Sequence, residues 1–230
     1  MREVISTHFP DLQLFPEIHT LAEARMELVT RGPDLLITDI NLQEGEIFEL
    51  LQEIMPVSFR IIFVTAYSKH AVRAFRFSAL DFLEKPFSDN DLVMAVRTAL
   101  SELEAADYNQ MLRAFYHNYN PATTNRKLVL KNLESVHVLG LEEILYLRSD
   151  NNYTEAHTLD DRKIVVSRPL KAFESQLGAH RFFRTHQSYL VNLDHIKTFH
   201  RKDHTLELTN GDHVAVSSKK AASLLARLSG

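Results

Sequence analysis

Three side chains in the first half of the chain could carry out phosphoryl transfer together. Asp39, Thr65 and Lys85 each lie near the end of a short apolar segment that predicts a buried parallel strand. The segments are DLLITDI at 34–40, RIIFVTA at 60–66 and LDFLEKP at 80–86. Open α/β sheets bind ligands at the carboxyl ends of their strands, so we expect the three side chains at one edge.

At that edge each side chain has a defined chemical role. Asp39 can be the nucleophile that forms an acyl phosphate. Lys85 can offset the charge of the transferred group, and the Thr65 hydroxyl can hydrogen-bond one of its oxygens. A single aspartate after a strand is more often a helix cap or a turn residue, so the hypothesis depends on all three residues.

Helical patterns alternate with these strands. Thr20 with Glu23 and Ser88 with Asp91 have the spacing of helix N-terminal caps. Segments 46–54 and 69–79 have helical spacing. Strands alternating with helices indicate βαβ units, a parallel sheet and helices on both faces.

The pattern changes after residue 105. We predict a receiver-like α/β domain over 1–105, a polar linker over 106–125 and a mostly β domain over 126–230. Period-two segments fill the last part, with a turn at Asp160–Asp161 and a hairpin turn at Asn210–Gly211. Helices are predicted at 167–177 and 217–228.

Charge differs between the halves. Residues 1–105 hold 9 Lys and Arg against 17 Asp and Glu, a net charge of −8, and residues 106–230 hold 17 against 13, a net charge of +4. The basic half either binds a polyanion or has an ordinary solvated surface.

The chain has no cysteine, which excludes disulfides and thiolate metal sites. No apolar run approaches the ~20 residues that span a bilayer, and no signal peptide is evident, so we expect a cytoplasmic protein without membrane contact.

The first half resembles the receiver domains of two-component response regulators. The matching segments are PDLLITDINLQEGEIFELL, FVTAY and SALDFLEKPF. The resemblance implies that Asp39 is the phospho-acceptor, Thr65 the switch hydroxyl and Phe82 the switch aromatic residue. It further implies that Lys85 contacts the phosphoryl group and that the peptide between Lys85 and Pro86 is cis. The backbone carbonyl of Asn41 is then expected to bind a metal.

The sequence departs from the receiver pattern in three ways. The family begins with a central strand followed by two acids that hold Mg²⁺, and this sequence shows neither; Gln43 stands where the family has proline. Mg²⁺ prefers six oxygen ligands, so we expect it to bind poorly at Asp39 and the Asn41 carbonyl, and we expect weak phosphorylation at most. The absent strand would leave a gap of about 10 Å between segments 12–17 and 35–40. The gap is filled, the receiver is distorted, or residues before Met1 are missing from the sequence.

The second half resembles the LytTR DNA-binding domain. The matching phrases are LEEILYLRSDNNYTEAHT, RPLKAFESQL, FFRTHQSYLVNLDHIKTF and LTNGDHVAVSSKKAASLL. The resemblance implies three DNA-contacting segments at one end of an elongated β fold. Their residues are Asn152 and Tyr153; Arg184, His186, Gln187 and Ser188; and Ser217, Ser218, Lys219 and Lys220. Glutamine can bind adenine through two hydrogen bonds, while hydroxyls and lysines can hold phosphates. Ser218 stands where many relatives have arginine, so Lys219 is the alternative base-contacting residue.

These features give three hypotheses about function. The leading one is a transcriptional response regulator: a sensor histidine kinase phosphorylates Asp39, the receiver forms a homodimer, and the LytTR domains bind double-stranded DNA. The second is a phosphorylation-independent regulator whose receiver-like half binds other proteins. The third is an aspartate-dependent phosphatase, which the absence of an acid at Asn41 disfavours, so we do not expect an enzyme. A metal site at His195, His200 and His204 is also disfavoured, because no acid or cysteine cluster accompanies them.

Overall fold

The computed structural model describes residues 1–66, 75, 82–100, 105–120, 122–132 and 134–228. The chain divides into two compact units, Met1–Tyr119 and Asn120–Gly230. The helix predicted over 69–79 lies outside the described residues except for Phe75, which is helical. No helix in the described ranges is both long and apolar enough to cross a membrane.

The first unit alternates helices and strands, as the sequence predicts. Its elements are α1 (Arg2–His8), α2 (Leu21–Arg31), β1 (Leu35–Asp39), β2 (Asn41–Leu42), β3 (Gly45–Glu46), α3 (Ile47–Glu53), β4 (Arg60–Thr65), β5 (Phe82–Glu84), α4 (Asp89–Ala99) and α5 (Ala105–Tyr119). A parallel sheet has the order β1-β4-β5, and β2 and β3 form a short antiparallel hairpin. The receiver-like parallel sheet is thus confirmed.

Both predicted helix caps are present. The Thr20 hydroxyl accepts a hydrogen bond from the Glu23 amide at 3.1 Å. At α4, Ser88 and Asp91 bond each other's backbone amides reciprocally. Each cap satisfies amide groups that have no partner within the helix, which stabilises a helix by about 1 kcal/mol.

Helices cover both faces of the sheet. On one face α1 and α4 pack against β4, with Ile5, Ile62, Val64, Leu92 and Val96 in a shared core. On the other face an aromatic cluster joins α3, β4 and α5. Its members are Phe48, Phe63, Phe75, Phe115 and Tyr119, with ring centroids between 4.5 and 6.4 Å apart. Close aromatic packing of this kind adds to the stabilisation that burial of the rings provides.

Segment 12–17, which the receiver pattern aligns with a strand, forms no strand. The three-stranded sheet therefore has β1 at its edge rather than beside a central strand. Leu12 and Leu14 pack against the core of the α1 and α4 face instead. Without a neighbouring strand this segment has no ladder of backbone partners, so it is irregular.

Residues 105–119 differ from the linker predicted over 106–125. They form α5 and belong to the first unit. The Asn109 amide bonds both backbone groups of Val57, at 3.0 and 2.9 Å, and the Tyr108 hydroxyl accepts from the Ile61 amide at 2.7 Å. Among the described residues β5 pairs with Phe63, Val64 and Thr65, and Tyr108 satisfies the backbone amide of Ile61.

The second unit is mostly β, as predicted. Its elements are β6 (Lys127–Lys131), β7 (Val136–Gly140), β8 (Ile144–Asp150), β9 (Tyr153–Thr158), β10 (Lys163–Val166), α6 (Leu170–Leu177), β11 (Phe182–His186), β12 (Tyr189–Asn192), β13 (Ile196–His200), β14 (Thr205–Leu208), β15 (His213–Ala215) and α7 (Ser218–Leu228). Two 3-10 turns lie at Leu141–Glu143 and Leu193–His195. The predicted turns at Asp160–Asp161 and Asn210–Gly211 are formed, with φ of 59° at Asp161 and 90° at Gly211.

The second unit has three antiparallel sheets, with the orders β10-β9-β8-β12-β11, β13-β14-β15 and β6-β7. The larger, five-stranded sheet and the smaller, three-stranded sheet enclose a core together with α7. Val191 from the larger sheet meets Leu206 and Val214 from the smaller sheet and Leu224 from α7. Full burial of one such side chain contributes about 1.5–3 kcal/mol. This core fixes the ends of β8, β11 and β15, where the predicted DNA-contacting segments lie.

Candidate phosphoryl-acceptor site and candidate nucleic-acid interface

Asp39 and Lys85 form an ion pair at the carboxyl edge of the parallel sheet. The Lys85 ammonium lies 2.7 Å from Asp39 Oδ2, and the Asn41 amide donates to Asp39 Oδ1 at 3.3 Å. The Asp39 side chain keeps 36% of its surface exposed, so a phosphate donor can reach it. A reachable carboxylate beside a cation is an arrangement suited to forming an acyl phosphate.

Thr65 and Phe82 lie on the two neighbouring strands. Thr65 ends β4 and is buried, and its carbonyl accepts from the Lys85 amide at 2.7 Å. Phe82 begins β5 and stacks on Phe75, with ring centroids 5.2 Å apart. The peptide between Lys85 and Pro86 is cis, as the receiver resemblance implies. The structure thus brings Asp39 and Lys85 into contact and places Thr65 at the end of the strand between them.

Receiver domains commonly bind Mg²⁺, and the donors around Asp39 test whether this chain can. One Asp39 oxygen contacts the Lys85 ammonium and the other accepts from a backbone amide. Within the described ranges no group of three His, Cys, Asp or Glu residues could hold a metal ion. Mg²⁺ requires near-octahedral oxygen coordination, so the described side chains do not fit a magnesium site, and the same finding leaves His195, His200 and His204 without a metal cluster.

The first predicted DNA-contacting segment is the turn between β8 and β9. Asn151 has a φ of 53° and shapes the turn, and Asn152 and Tyr153 follow it. Both are exposed, and Tyr153 keeps 50% of its surface accessible. An exposed amide next to an exposed aromatic ring offers hydrogen-bonding groups and a flat apolar face at the tip of a rigid hairpin.

The second segment is the turn between β11 and β12, where Gln187 is exposed. The Arg184 guanidinium faces inward: it donates to the carbonyl of His186 at 2.8 Å and to that of Gln187, and it pairs with Glu174 at 3.3 Å. Burial lowers the pKa of Arg184 despite Glu174. The Arg184 side chain therefore shapes the turn, and Gln187 is the outward-facing group.

The His186 ring is also held by the second turn. Its Nδ1 accepts a hydrogen bond from the Ser188 amide at 3.2 Å. In the neutral ring the proton then lies on Nε2. His186 can therefore present a single N–H donor in addition to the amide of Gln187.

The third segment is the start of α7. Ser218, Lys219 and Lys220 are exposed, and Ser217 is half-buried. Among the described residues neither lysine pairs with a carboxylate, whereas Lys163 and Lys197 do. The Lys220 ammonium lies 5.6 Å from the centre of the Phe183 ring. Two unpaired cations at a helix N-terminus form a site suited to phosphate groups.

Hydrogen bonds join the three segments, through two residues that the sequence analysis did not single out. The Ser149 amide donates to the Ser188 carbonyl at 2.9 Å, which links the first and second segments. Thr185 bonds the strand that precedes the third segment. For Thr185, its place between two predicted contact residues was the signal in the sequence.

A buried ionic cluster supports the β8–β9 hairpin from the side. Glu155 is almost fully buried and pairs with Arg148 and Lys163. Burial alone would raise the pKa of Glu155, but hydrogen bonds from Lys163 and Arg148 outweigh it and lower that pKa. His157 stacks on Tyr146 at 4.3 Å, and burial lowers the pKa of His157.

The comparisons with known proteins agree with this division. A model of the response regulator receiver domain matches residues 4–97, and a model of the LytTr DNA-binding domain matches residues 134–229. The chain is thus a response regulator with a DNA-binding output domain. It combines a receiver domain with a LytTR DNA-binding domain.

Two curated relatives align with most of this chain. The transcriptional regulatory protein LytR of Staphylococcus aureus strain N315 is 29% identical over 183 residues, 79% of this chain and 73% of that protein. The sensory transduction protein LytT of Bacillus subtilis strain 168 is 26% identical over 214 residues, 90% of this chain and 85% of that protein. One solved structure is the LytTr DNA-binding domain of a putative methyl-accepting/DNA response regulator from Bacillus cereus, which is 27% identical. The match covers 45% of this chain and 96% of that chain, with a TM-score of 0.39.

Proposed function

We propose that the chain is a cytoplasmic transcriptional regulator that binds double-stranded DNA through the three segments described above. The observation that carries the proposal is their arrangement: hydrogen bonds join two turns, which present exposed amides, to the start of α7, where neither lysine pairs with a carboxylate. Asn152 and Gln187 are suited to base edges, and Lys219 and Lys220 to phosphates. In this proposal Arg184 acts by shaping its turn.

The proposal is tested with DNA that the chain itself selects from a random-sequence duplex library. Binding of the selected duplex is followed by fluorescence anisotropy over a range of salt concentrations. We expect steep salt dependence, and we expect Lys219→Ala and Lys220→Ala each to reduce the slope of log affinity against log salt by about one. Lys131→Ala removes an exposed lysine on β6 and should leave the slope unchanged. Salt-insensitive binding, or no binding to any duplex, would contradict the proposal.

We further propose that phosphorylation of Asp39 by a sensor histidine kinase controls DNA binding through formation of a homodimer. An Asp39 oxygen would bond to phosphorus as the bond to the donor breaks, and Lys85 would offset the added negative charge. The 2.7 Å ion pair supports these roles, because it already holds the cation against the attacking carboxylate. The Thr65 hydroxyl would donate a hydrogen bond to a phosphoryl oxygen. The ring of Phe82, on the next strand, would change position in response to phosphorylation.

Intact-mass measurement tests the phosphorylation step. The chain is incubated with Mg²⁺ and a small-molecule phosphodonor such as acetyl phosphate. A phosphate adduct that Asp39→Ala abolishes would support the proposal, and its yield should be low, because the donors around Asp39 do not form a magnesium site. An adduct that persists in Asp39→Ala would place the phosphate elsewhere.

A second candidate function is a regulator that works without phosphorylation. The same lack of metal-binding acids favours it, since the receiver-like unit would then serve as a protein-binding module. Absence of any adduct, together with unchanged DNA affinity in Asp39→Ala, would favour this second candidate.

A further inference from the structure

We propose that Thr185 is a positioning residue that sets the placement of the third DNA-contacting segment relative to the second. The inference rests on the proposed DNA-binding function and extends it. Thr185 lies between Arg184 and His186 in β11 and has no exposed surface. It therefore cannot contact DNA itself, and any effect on binding must pass through its neighbours.

Thr185 bonds the segment before α7 through both its side chain and its backbone. Its hydroxyl donates to the Ala215 carbonyl at 2.9 Å, and its carbonyl accepts from the Ser217 amide at 2.8 Å. Ala215 ends β15, and Ser217 immediately precedes α7. These two bonds attach the N-terminus of α7, with Lys219 and Lys220, to the strand that leads into the His186–Ser188 turn.

Strand geometry explains why this position can serve as the link. The register of β11 against β12 shifts between Arg184 and His186, so Thr185 is the extra residue of a β-bulge and is left out of the ladder between the two strands. Its neighbour Phe183 contacts Lys220 and Arg227 of α7. One strand thus carries both the turn-shaping Arg184 and the contacts to the segment before α7 and to α7 itself.

The segment between β15 and α7 is held from two directions. The Val216 amide donates to the His204 carbonyl at 2.8 Å, and Thr185 holds the residues on either side of Val216. Loss of the Thr185 hydroxyl would leave the Ala215 carbonyl without this donor and allow the segment to shift. Groups that recognise a ligand must be held within about 0.5 Å of their working positions, so a small shift is expected to lower sequence-specific affinity.

The test compares Thr185→Val, which replaces the hydroxyl with a methyl group of similar size, with a matched control. Thr158→Val removes another buried hydroxyl, which bonds Asp160 at 2.5 Å and Arg162 at 3.1 Å. Thr158 ends β9, whereas the first DNA-contacting segment lies at the start of that strand. Urea unfolding measures the stability of each full-length variant. Anisotropy measures the affinity of each for a duplex selected by the wild-type chain and for a scrambled duplex.

We expect Thr185→Val to lower affinity for the selected duplex by roughly tenfold while affinity for the scrambled duplex changes little. Thr158→Val should lose stability without this loss of specificity. Thr185→Ser keeps the hydroxyl and should restore the ratio of the two affinities. If Thr185→Val does not fold, Thr185→Ala removes the same hydroxyl, and its ratio is compared with that of Thr185→Ser.

Three outcomes would overturn the inference. In the first, Thr185→Val keeps the wild-type ratio of affinities. In the second, Thr158→Val loses as much specificity as Thr185→Val, which would show an effect of stability alone. In the third, the wild-type chain binds no duplex, which would overturn the proposed function as well. The first two leave wild-type DNA binding intact, so they separate the failure of this inference from the failure of the proposed function.

Discussion

At the scale of residues, the two units use charged side chains in different ways. Asp39 and Lys85 form a partly exposed pair whose members remain reachable. Arg184 directs its guanidinium at two carbonyls of its own turn, and Glu155 is buried beneath Arg148 and Lys163. Exposure therefore distinguishes side chains that can react or bind from side chains that hold a turn or a sheet in place.

Arg184→Lys should weaken sequence-specific DNA binding although it preserves the positive charge. Lysine cannot reproduce the planar set of donors that bonds the carbonyls of His186 and Gln187 together. The salt dependence of binding should not change, because Arg184 contacts no phosphate in this account. Anisotropy titrations at several salt concentrations check both statements. A slope that falls by about one would instead identify Arg184 as a phosphate contact.

His157 should make the second unit less stable in mild acid. Burial lowers the pKa of His157 in the folded state, and Glu155 only partly opposes this; Arg148 and Asp212 also act on the ring. The unfolded chain binds a proton near pH 6.5, whereas the folded chain binds it only at lower pH. The contribution of His157 to the stability of the second unit is therefore fully present above about pH 6.5. It is lost as the pH falls from there toward the pKa of His157 in the folded state.

Urea unfolding at pH 7 and pH 5 measures this effect. We expect His157→Gln, which is neutral at both values, to lose less free energy of unfolding than the wild-type chain over this interval. An equal or larger loss in His157→Gln would show that His157 does not cause the decline.

At the scale of elements, α5 completes the first unit. It supplies Phe115 and Tyr119 to the aromatic cluster and bonds the backbone at Val57 and Ile61 through Asn109 and Tyr108. The Tyr119 hydroxyl also donates to Glu46 at 3.0 Å. Burial, followed by this bond, raises the pKa of Tyr119 to about 12, which keeps the hydroxyl protonated.

Asn109→Ala should destabilise the first unit by about 1–3 kcal/mol, because it leaves two buried backbone groups of Val57 without their partner. Gln110→Ala is the matched control, since Gln110 is the next residue on the same helix and is exposed. Urea unfolding of both variants measures the difference. Equal stability of the two variants would show that the Asn109 bonds do not hold α5 in place.

Much of this fold could be predicted from the sequence. Apolar segments with period-two or helical spacing predicted β1, β4 and most strands of the second unit, and short polar pairs predicted the caps and turns. Helix α5 was not predicted, because its polar residues Tyr108 and Asn109 suggest solvent exposure. They are buried because they satisfy backbone groups distant in sequence, and such bonds leave no local pattern.

The candidate sites divide in the same way. Types and spacing predicted the proximity of Asp39 and Lys85, which strand ends bring together. The inward direction of Arg184 depends on side-chain geometry, and the link through Thr185 depends on contacts 30 or more residues away. No spacing in the sequence encodes those contacts.

At the scale of the whole molecule, an acidic receiver unit is joined to a basic DNA-binding unit. We expect the chain to sediment as a monomer before phosphodonor treatment and to form dimers after it. Met94, 55% exposed on α4, is a candidate contact residue, so Met94→Asp should reduce dimer formation. Met26→Asp, at a residue 58% exposed on α2, is the matched control. A strict monomer under all conditions would remove dimer formation from the account.

The most direct test of the account is the affinity for the selected duplex before and after treatment with acetyl phosphate and Mg²⁺. Wild type and Asp39→Ala are compared by anisotropy at one salt concentration. The account predicts that treatment tightens binding by the wild-type chain in proportion to the phosphate adduct measured by intact mass, and leaves Asp39→Ala unchanged. Equal affinity of the untreated chain and of a treated sample that carries the adduct would contradict control by Asp39 and favour the phosphorylation-independent regulator.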